Sequence, residues 1–81
     1  MSELSRLRWL CRRGMKELDL VMTGYLDNHY ESASRDEQAL FKTLLDMSDP
    51  DLYALLLGRS QAPTRKLERF TRLIREITAQ G

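Results

Sequence analysis

The sequence predicts an all-α protein, a compact bundle of five short helices, and three observations support this. Val21, Ile74 and Ile77 are the only valine and isoleucines in the chain, and no long stretch alternates apolar with polar residues, so strands are not expected. Apolar residues recur instead at helical spacing, in segments separated by turn-forming residues. A chain of 81 residues builds one hydrophobic core, so residues 1–81 should form a single domain.

Gly14 separates the first two predicted helices. Ser2 is expected to cap a first helix of about ten residues. Gly24 lies inside the second helix, where glycine costs about 1 kcal/mol relative to alanine, and this predicts close packing by a neighbouring element. The expected apolar positions are Leu4, Leu7, Leu10 and Cys11 in the first helix, and Leu18, Val21, Met22, Tyr25, Leu26 and His29 in the second.

Turn signals divide the rest of the chain into three further helices. Ser34 opens the third with a capping box, Ser-Arg-Asp-Glu, whose first and last side chains each satisfy a free backbone N–H. Asp49 is expected to cap the fourth, with Pro50 at its first helical position and Gly58 at its end. The fifth is expected over about residues 64–79. The predicted apolar positions are Leu40, Phe41, Leu44, Leu45, Leu52, Leu55, Leu56, Leu67, Phe70, Leu73, Ile74 and Ile77.

Composition favours a soluble protein of the cytoplasm. The residues after Met1 lack the apolar core of a signal peptide, and the longest apolar run, residues 52–57, is far shorter than the roughly 20 residues of a membrane span. Membrane insertion is therefore not expected. Cys11 is the only cysteine, which excludes an intrachain disulfide and a cysteine-based zinc site and favours a reducing compartment.

The usual catalytic constellations are absent from the sequence. His29 has no histidine, cysteine or acidic cluster at ligand spacing, so neither a metal site nor a catalytic role is predicted for it. Cys11 is interpreted as a small apolar residue of a helix face, although Arg12 and Arg13 beside it would lower a thiol pKa. The four glycines never approach a GxGxxG loop, so no dinucleotide site is expected. The sequence predicts a protein that is not an enzyme.

Charge is unevenly distributed although the net charge is only +1. Residues 1–16 carry five basic and one acidic side chain, residues 17–58 two basic and nine acidic, and residues 59–81 six basic and two acidic. Arg65, Arg69 and Arg72 share one helical face, which we interpret as solvated because Glu68 and Glu76 lie nearby. Since no helix combines a basic face with base-reading side chains, no nucleic-acid partner is predicted.

The stretch from Cys11 to Asp19 interrupts a helical pattern with a glycine. Arg13 and Glu17 would be neighbours only if one helix continued through Gly14, and such a pair contributes only about 0.2–0.5 kcal/mol. A bend at Gly14 that turns Arg13 and Glu17 outward, beside bare backbone, would instead give a partner a compact surface to bind. The residues therefore predict a partner-binding patch here.

Arg13-Gly14-Met15-Lys16-Glu17 resembles the RGxxE signature of the small bacterial flavinylation factors for succinate dehydrogenase, which are related to the mitochondrial succinate dehydrogenase assembly factor 2. The resemblance covers nearly the whole chain. Its flanks agree at Trp9, at Cys11-Arg12, at Leu18-Asp19 and in Asp49-Pro50-Asp51-Leu52. One position departs from the pattern, because family members often carry tryptophan where Leu55 stands.

The resemblance implies a five-helix bundle that binds the flavoprotein subunit of succinate dehydrogenase, and also that of fumarate reductase. Such a factor promotes covalent attachment of FAD to a histidine of its client. Arg13, Gly14 and Glu17 would bind the partner, with Met15 between them. The factor itself is expected to hold no cofactor tightly and to be a monomer.

Two other interpretations remain open from the sequence. An antitoxin-like regulatory module would act on a toxin or on nucleic acid, and a salt-dependent shift of a nucleic-acid probe would reveal it. A flavin carrier would be yellow when purified.

Overall fold

The computed structural model describes residues 2–80 and consists of five α-helices. They are α1 (Glu3–Leu10), α2 (Lys16–Tyr25), α3 (Arg35–Leu45), α4 (Asp49–Leu56) and α5 (Arg65–Gln80). A single π-helical turn, Leu26–Tyr30, continues α2. No strand occurs within the described residues, so the predicted all-α bundle is confirmed.

One hydrophobic core joins all five helices, and α5 packs on α2, α3 and α4. Its centre is aromatic. The Tyr25 ring lies 4.9 Å from that of Phe41 and meets Phe70 edge-on at 5.3 Å, distances at which aromatic pairs stabilise a core. The predicted apolar faces are confirmed at the buried positions Leu7, Cys11, Leu18, Met22, Tyr25, Leu26, Phe41, Leu44, Leu45, Leu52, Leu55, Leu56, Leu67, Phe70 and Ile74.

Short hydroxyl side chains cap four of the helices, whereas α2 begins after Met15 without a side-chain cap. The Ser2 hydroxyl accepts a hydrogen bond from the backbone N–H of Ser5 at 3.2 Å, so this predicted cap is confirmed. The predicted capping box of α3 is only half formed. The Ser34 hydroxyl accepts from the N–H of Glu37 at 3.2 Å, but among the described residues the N–H of Ser34 does not donate to the Glu37 carboxylate. Burial, together with the negative charge of the Glu37 carboxylate, raises the pKa of Tyr25 to about 12.

Asp49 does not cap α4, contrary to the sequence prediction. Ser48 occupies the cap, and its hydroxyl accepts from the N–H of Asp51 at 3.4 Å. Asp49 and Pro50 then form the start of the helix, where proline's missing N–H is harmless. The carboxylate of Asp49 is thereby left free for other partners.

Gly58 ends α4 as predicted. Its φ of +76° lies in the left-handed region that favours glycine. The N–H of Gly58 donates to the carbonyl of Leu55 at 3.1 Å and that of Arg59 to the carbonyl of Ala54 at 2.8 Å. These two bonds form a Schellman motif, which satisfies the last carbonyls of the helix.

The predicted close packing at Gly24 is wrong. A Cβ built on Gly24 meets no atom within 4 Å outside its own helix backbone. The residue faces an open depression between α2 and α5, lined by Leu20, Val21, Tyr25, Asn28, Ile74, Ile77 and Thr78. Gly24 therefore has no packing role that would require glycine.

Polar contacts tie α1 to the rest of the bundle. Lys42 of α3 pairs with Glu3 at 2.5 Å, and the Tyr30 hydroxyl donates to the same carboxylate at 3.1 Å. Arg8 pairs with Asp27 of the π-helical turn at 2.6 Å. None of the helices in residues 2–80 has the length and apolar content to cross a membrane.

Candidate functional site

Residues 11–15 form a bend between α1 and α2, and the buried Cys11 anchors its start. The N–H of Cys11 donates to the carbonyls of Leu7 and Arg8, closing α1. The N–H of Arg13 then donates to the carboxylate of Asp19, which lies in the first turn of α2. Because the two helices are separate, Arg13 is not paired with Glu17 along one helix surface.

The guanidinium of Arg13 points into the bundle. Nη1 donates to the carbonyl of Met47 at 2.7 Å, and Nη2 donates to the carbonyl of Leu45. Leu45 is the last residue of α3 and Met47 lies just after its C-cap, so the guanidinium sits at the helix end where the dipole favours a cation. The side chain is only 11% exposed. The prediction that the bend turns Arg13 outward is therefore wrong, because the free carbonyls of α3 supply better partners than water.

Asp49 completes this arrangement from the start of α4. Its Oδ1 lies 3.5 Å from Nη1 of Arg13, and its Oδ2 accepts a hydrogen bond from the N–H of Gly14 at 2.9 Å. We refer to Arg13, Gly14 and Asp49 together as the clamp. The clamp fixes the bend against the turn between α3 and α4, so the position of the motif depends on both halves of the chain.

Close approach favours glycine at position 14 of the clamp. A Cβ on Gly14 would lie 3.2 Å from Oδ2 of Asp49, tighter than nine in ten Cβ contacts, so the carboxylate would have to move by a few tenths of an ångström. The backbone of Gly14 does not have positive φ, so the constraint is steric. The missing side chain lets the Asp49 carboxylate reach the backbone and leaves Gly14 exposed on the opposite side.

The outer side of the bend is formed by Gly14, Met15 and Glu17, which we call the docking edge. Gly14 and Glu17 are exposed, and Met15 is half-buried against the core. Glu17 lies in the first turn of α2, where an acidic side chain is favoured by the helix dipole. It forms no ion pair with any residue in the range 2–80. Its carboxylate is thus available to a second protein.

An apolar groove of about 340 Å³ begins at Glu17 and runs between α2, α4 and α5. Leu57 at its rim is 44% exposed. The other lining residues are Leu18, Val21, Tyr53, Leu56, Ile74, Arg75, Thr78 and Ala79. The docking edge therefore borders an apolar surface as well as bare backbone.

Cys11 and His29 are placed as the sequence analysis interpreted them. Burial raises the pKa of Cys11 to about 11, so the thiol is neutral and shielded at physiological pH. His29 is half-buried and stacks on Tyr25 with 5.7 Å between ring centroids. No group of three or more metal-ligating side chains is found in the part of the chain that the structure describes.

Sequence reasoning missed Asp49 as a member of the site. Its interpretation as a helix cap was plausible, but Ser48 stands immediately before it and is equally able to cap. Ser48 and Asp49 can each cap a helix, and only one of them is needed. Their succession in the sequence therefore indicates that the Asp49 carboxylate is free to bind elsewhere. The departing position, Leu55, is 3% exposed and belongs to the core.

Similarity to known proteins covers both the bend and the helical bundle. Residues 5–78 match the family Sdh5, described as flavinator of succinate dehydrogenase. The chain is 37% identical over 75 residues to the FAD assembly factor SdhE of Shewanella oneidensis, covering 93% of this chain and 92% of that one. It is 38% identical over 81 residues to the FAD assembly factor SdhE of Methylococcus capsulatus, covering 100% and 98%. With that of Coxiella burnetii the identity is 34%, covering 91% and 90%.

Proposed function

Because the chain belongs to the family of succinate dehydrogenase flavinators, we propose that it is an FAD assembly factor. It binds the flavoprotein subunit of succinate dehydrogenase and promotes covalent attachment of FAD to that subunit. The family match covers the bend, the clamp and all five helices.

The bend has an inner side that is held by the bundle and an outer side that is exposed, and this division supports a role in binding the client. The inner side is held by Arg13 and Asp49, whereas Gly14 and Glu17 of the docking edge are exposed. A surface fixed in this way loses little conformational entropy when it binds, which favours affinity. We therefore assign client contact to Gly14, Met15 and Glu17, and assign Arg13 the role of positioning them.

The mechanism we propose is positioning of the client. The docking edge binds the flavoprotein and favours the conformation in which the client's histidine meets the flavin ring, so that the client carries out its own bond formation. Glu17 accepts hydrogen bonds from client N–H groups or pairs with a client cation, and such charge-assisted bonds are among the strong ones. The bare backbone of Gly14 lets the two surfaces close.

We further propose where FAD is held, which second client is bound, and where the protein acts. FAD remains with the client, and the factor itself is not a catalyst; the absence of a glycine-rich phosphate loop from the sequence supports this. The flavoprotein subunit of fumarate reductase is a second client. The protein acts as a monomer in the cytoplasm.

The test is Glu17→Ala, in cells that lack their own flavinylation factor and express the client. Covalent flavin is measured by fluorescence of the denatured client after gel electrophoresis. We expect at least a tenfold loss with Glu17→Ala, because the docking edge loses its only carboxylate. Since Glu17 is exposed, the melting temperature should stay unchanged.

Glu76→Ala is the matched control, because Glu76 is an exposed glutamate on α5. It should leave flavin attachment at the wild-type level. Gly14→Arg should also abolish attachment by covering the docking edge, although its Cβ presses on Asp49 and lowers stability as well. Full attachment with Glu17→Ala would exclude the docking edge as the client contact.

A further inference from the structure

Trp9 is an anomaly on the surface of α1. It is the only tryptophan of the chain and is 67% exposed, although tryptophan side chains are on average well buried in folded proteins. Leu10 beside it is 38% exposed. Neither residue belongs to the docking edge. The exposure of Trp9 and Leu10 is therefore not explained by client contact at the docking edge.

Two cations flank these apolar side chains. The guanidinium of Arg12 lies over the Trp9 ring, 5.6 Å from its centroid, within the range of a cation–π interaction. Arg6 lines a shallow depression together with Trp9. We call Arg6, Trp9, Leu10 and Arg12 the α1 patch. Its members at positions 6, 9 and 10 follow the i, i+3, i+4 spacing of one helical face.

The two arginines of the α1 patch form no ion pair with a carboxylate among residues 2–80, unlike the two other arginines of this segment. Arg8 pairs with Asp27 and Arg13 with Asp49. The patch therefore presents two free positive charges around an apolar centre. Tryptophan and arginine are the residues most enriched among those that dominate binding energy at protein interfaces.

From the exposed Trp9–Arg12 stack and its free charges, we propose that the α1 patch is a second contact surface for the client. It binds a client segment that carries carboxylates beside an apolar side chain. This inference rests on the proposed function, because the occupant is the same flavoprotein subunit. Arg12 directly precedes the clamp residue Arg13, so the α1 patch and the docking edge form one continuous surface along residues 6–17.

The number of free charges distinguishes a protein partner from other anionic partners. A duplex DNA binder typically neutralises about 6–10 phosphates, and membrane-binding clusters carry about 4–8 basic side chains. The α1 patch has only Arg6 and Arg12 free. Two carboxylates of a protein surface match this charge.

The experiment uses the whole protein labelled with 5-fluorotryptophan, which gives one ¹⁹F resonance because Trp9 is the only tryptophan. Adding the flavoprotein subunit without its flavin should shift or broaden that resonance. By calorimetry, Trp9→Ala should raise the Kd about 30-fold, the scale of a residue that dominates an interface. Arg12→Gln should raise it about threefold to tenfold and reduce its dependence on salt.

Leu20→Ala and Arg69→Gln are the matched controls. Leu20 is as exposed as Trp9 but lies on α2, and Arg69 is an exposed arginine on α5. Both should bind the client with the wild-type Kd. Circular dichroism should show that Trp9→Ala and Arg12→Gln keep their helix content, because both side chains are exposed.

The outcomes separate this inference from the proposed function. If wild-type protein binds the client and promotes flavin attachment while Trp9→Ala and Arg12→Gln bind as tightly, the α1 patch is not a contact and the function stands. If wild-type protein neither binds nor promotes attachment, the function itself fails. A ¹⁹F response to a short DNA duplex or to phosphatidylserine vesicles, without one to the client, would overturn the assignment of a protein partner.

Discussion

Gly14 and Gly58 each stand where one helix stops before the next begins, yet the two turns are held in different ways. At Gly58 the backbone has φ of +76° and the turn satisfies its own carbonyls through hydrogen bonds to Leu55 and Ala54. At Gly14 the backbone has no such conformation, and the partners come from a segment more than thirty positions away.

The difference shows two uses of the same residue. Gly58 is needed for its own conformation, and every bond of its turn lies within a few positions of it in sequence. Gly14 is favoured because a remote carboxylate approaches its N–H closely, and that carboxylate is placed by the fold. A turn of the first kind ends a helix. A turn of the second kind also fixes a surface relative to the rest of the molecule.

Arg13→Met should have the largest effect on stability, because it removes the side chain that joins the bend to the end of α3 and to Asp49. Methionine matches the apolar stem of arginine, but leaves the carbonyls of Leu45 and Met47 and the Asp49 carboxylate without their donor. We expect a loss of about 3 kcal/mol in the free energy of unfolding, measured by urea denaturation.

The control for that substitution is Arg12→Met, which removes an exposed arginine at the neighbouring position and should stay within about 0.5 kcal/mol of wild type. Equal losses in the two variants would mean that the clamp contributes nothing to stability.

Gly58→Ala tests the locally determined turn and should cost less, about 1–2 kcal/mol, the penalty of a left-handed conformation for a residue with a Cβ. The new methyl group would also approach Nη1 of Arg75, which is the end of a flexible side chain and can move away. Chemical denaturation measures the loss. Flavin attachment per folded molecule should not change, since the turn lies outside the docking edge.

Gly24→Ala is the matched control for Gly58→Ala, because it adds the same methyl group in a helix interior where nothing lies within 4 Å. It should stabilise the protein by up to about 1 kcal/mol. A Gly58→Ala variant as stable as Gly24→Ala would contradict the requirement for glycine at the end of α4.

Cys11→Ala should have the smallest effect on the free energy of unfolding. It tests whether the α1 end of the bend is shielded from water. Burial raises its pKa from 9.0 to about 11, so folding favours the neutral thiol. Its contribution is therefore complete well below pH 9, begins to fall as the unfolded thiol ionises near pH 9, and is lost as the pH rises through about 11. Between pH 8 and pH 9 the free energy of unfolding should fall by roughly 0.4 kcal/mol more in wild type than in Cys11→Ala. Denaturation at the two pH values measures this, and parallel curves would show that the thiol is not shielded.

The parts of the fold that could be predicted from sequence are those with local causes. The cap at Ser2, the end of α4 at Gly58 and the apolar faces of the five helices follow from spacing and from the chemistry of single residues. The inward orientation of the Arg13 side chain could not be predicted in the same way. Its acceptors lie 32 to 36 positions away, and helical periodicity carries no information on that pairing.

The geometry of the candidate site could be anticipated only in part, for the same reason. The motif directed attention to Gly14 and Met15 of the bend and to Glu17 in the first turn of α2, of which Gly14 and Glu17 are exposed. It did not indicate that Asp49 holds that bend, because the choice between Ser48 and Asp49 as cap depends on what else the spare carboxylate can reach. The helical spacing also placed Leu10 on the apolar face of α1, and this prediction is wrong because Leu10 is 38% exposed beside Trp9.

The clamp has a consequence for how the protein is made on the ribosome. Gly14 and its carboxylate acceptor are separated by 35 positions, so a growing chain that has exposed only its first two helices lacks the group that fixes the bend. The motif is translated early, but it takes its final shape only after the start of α4 has emerged. Until then the bend lacks the hydrogen bond from the N–H of Gly14 to Asp49 and the acceptors of the Arg13 side chain.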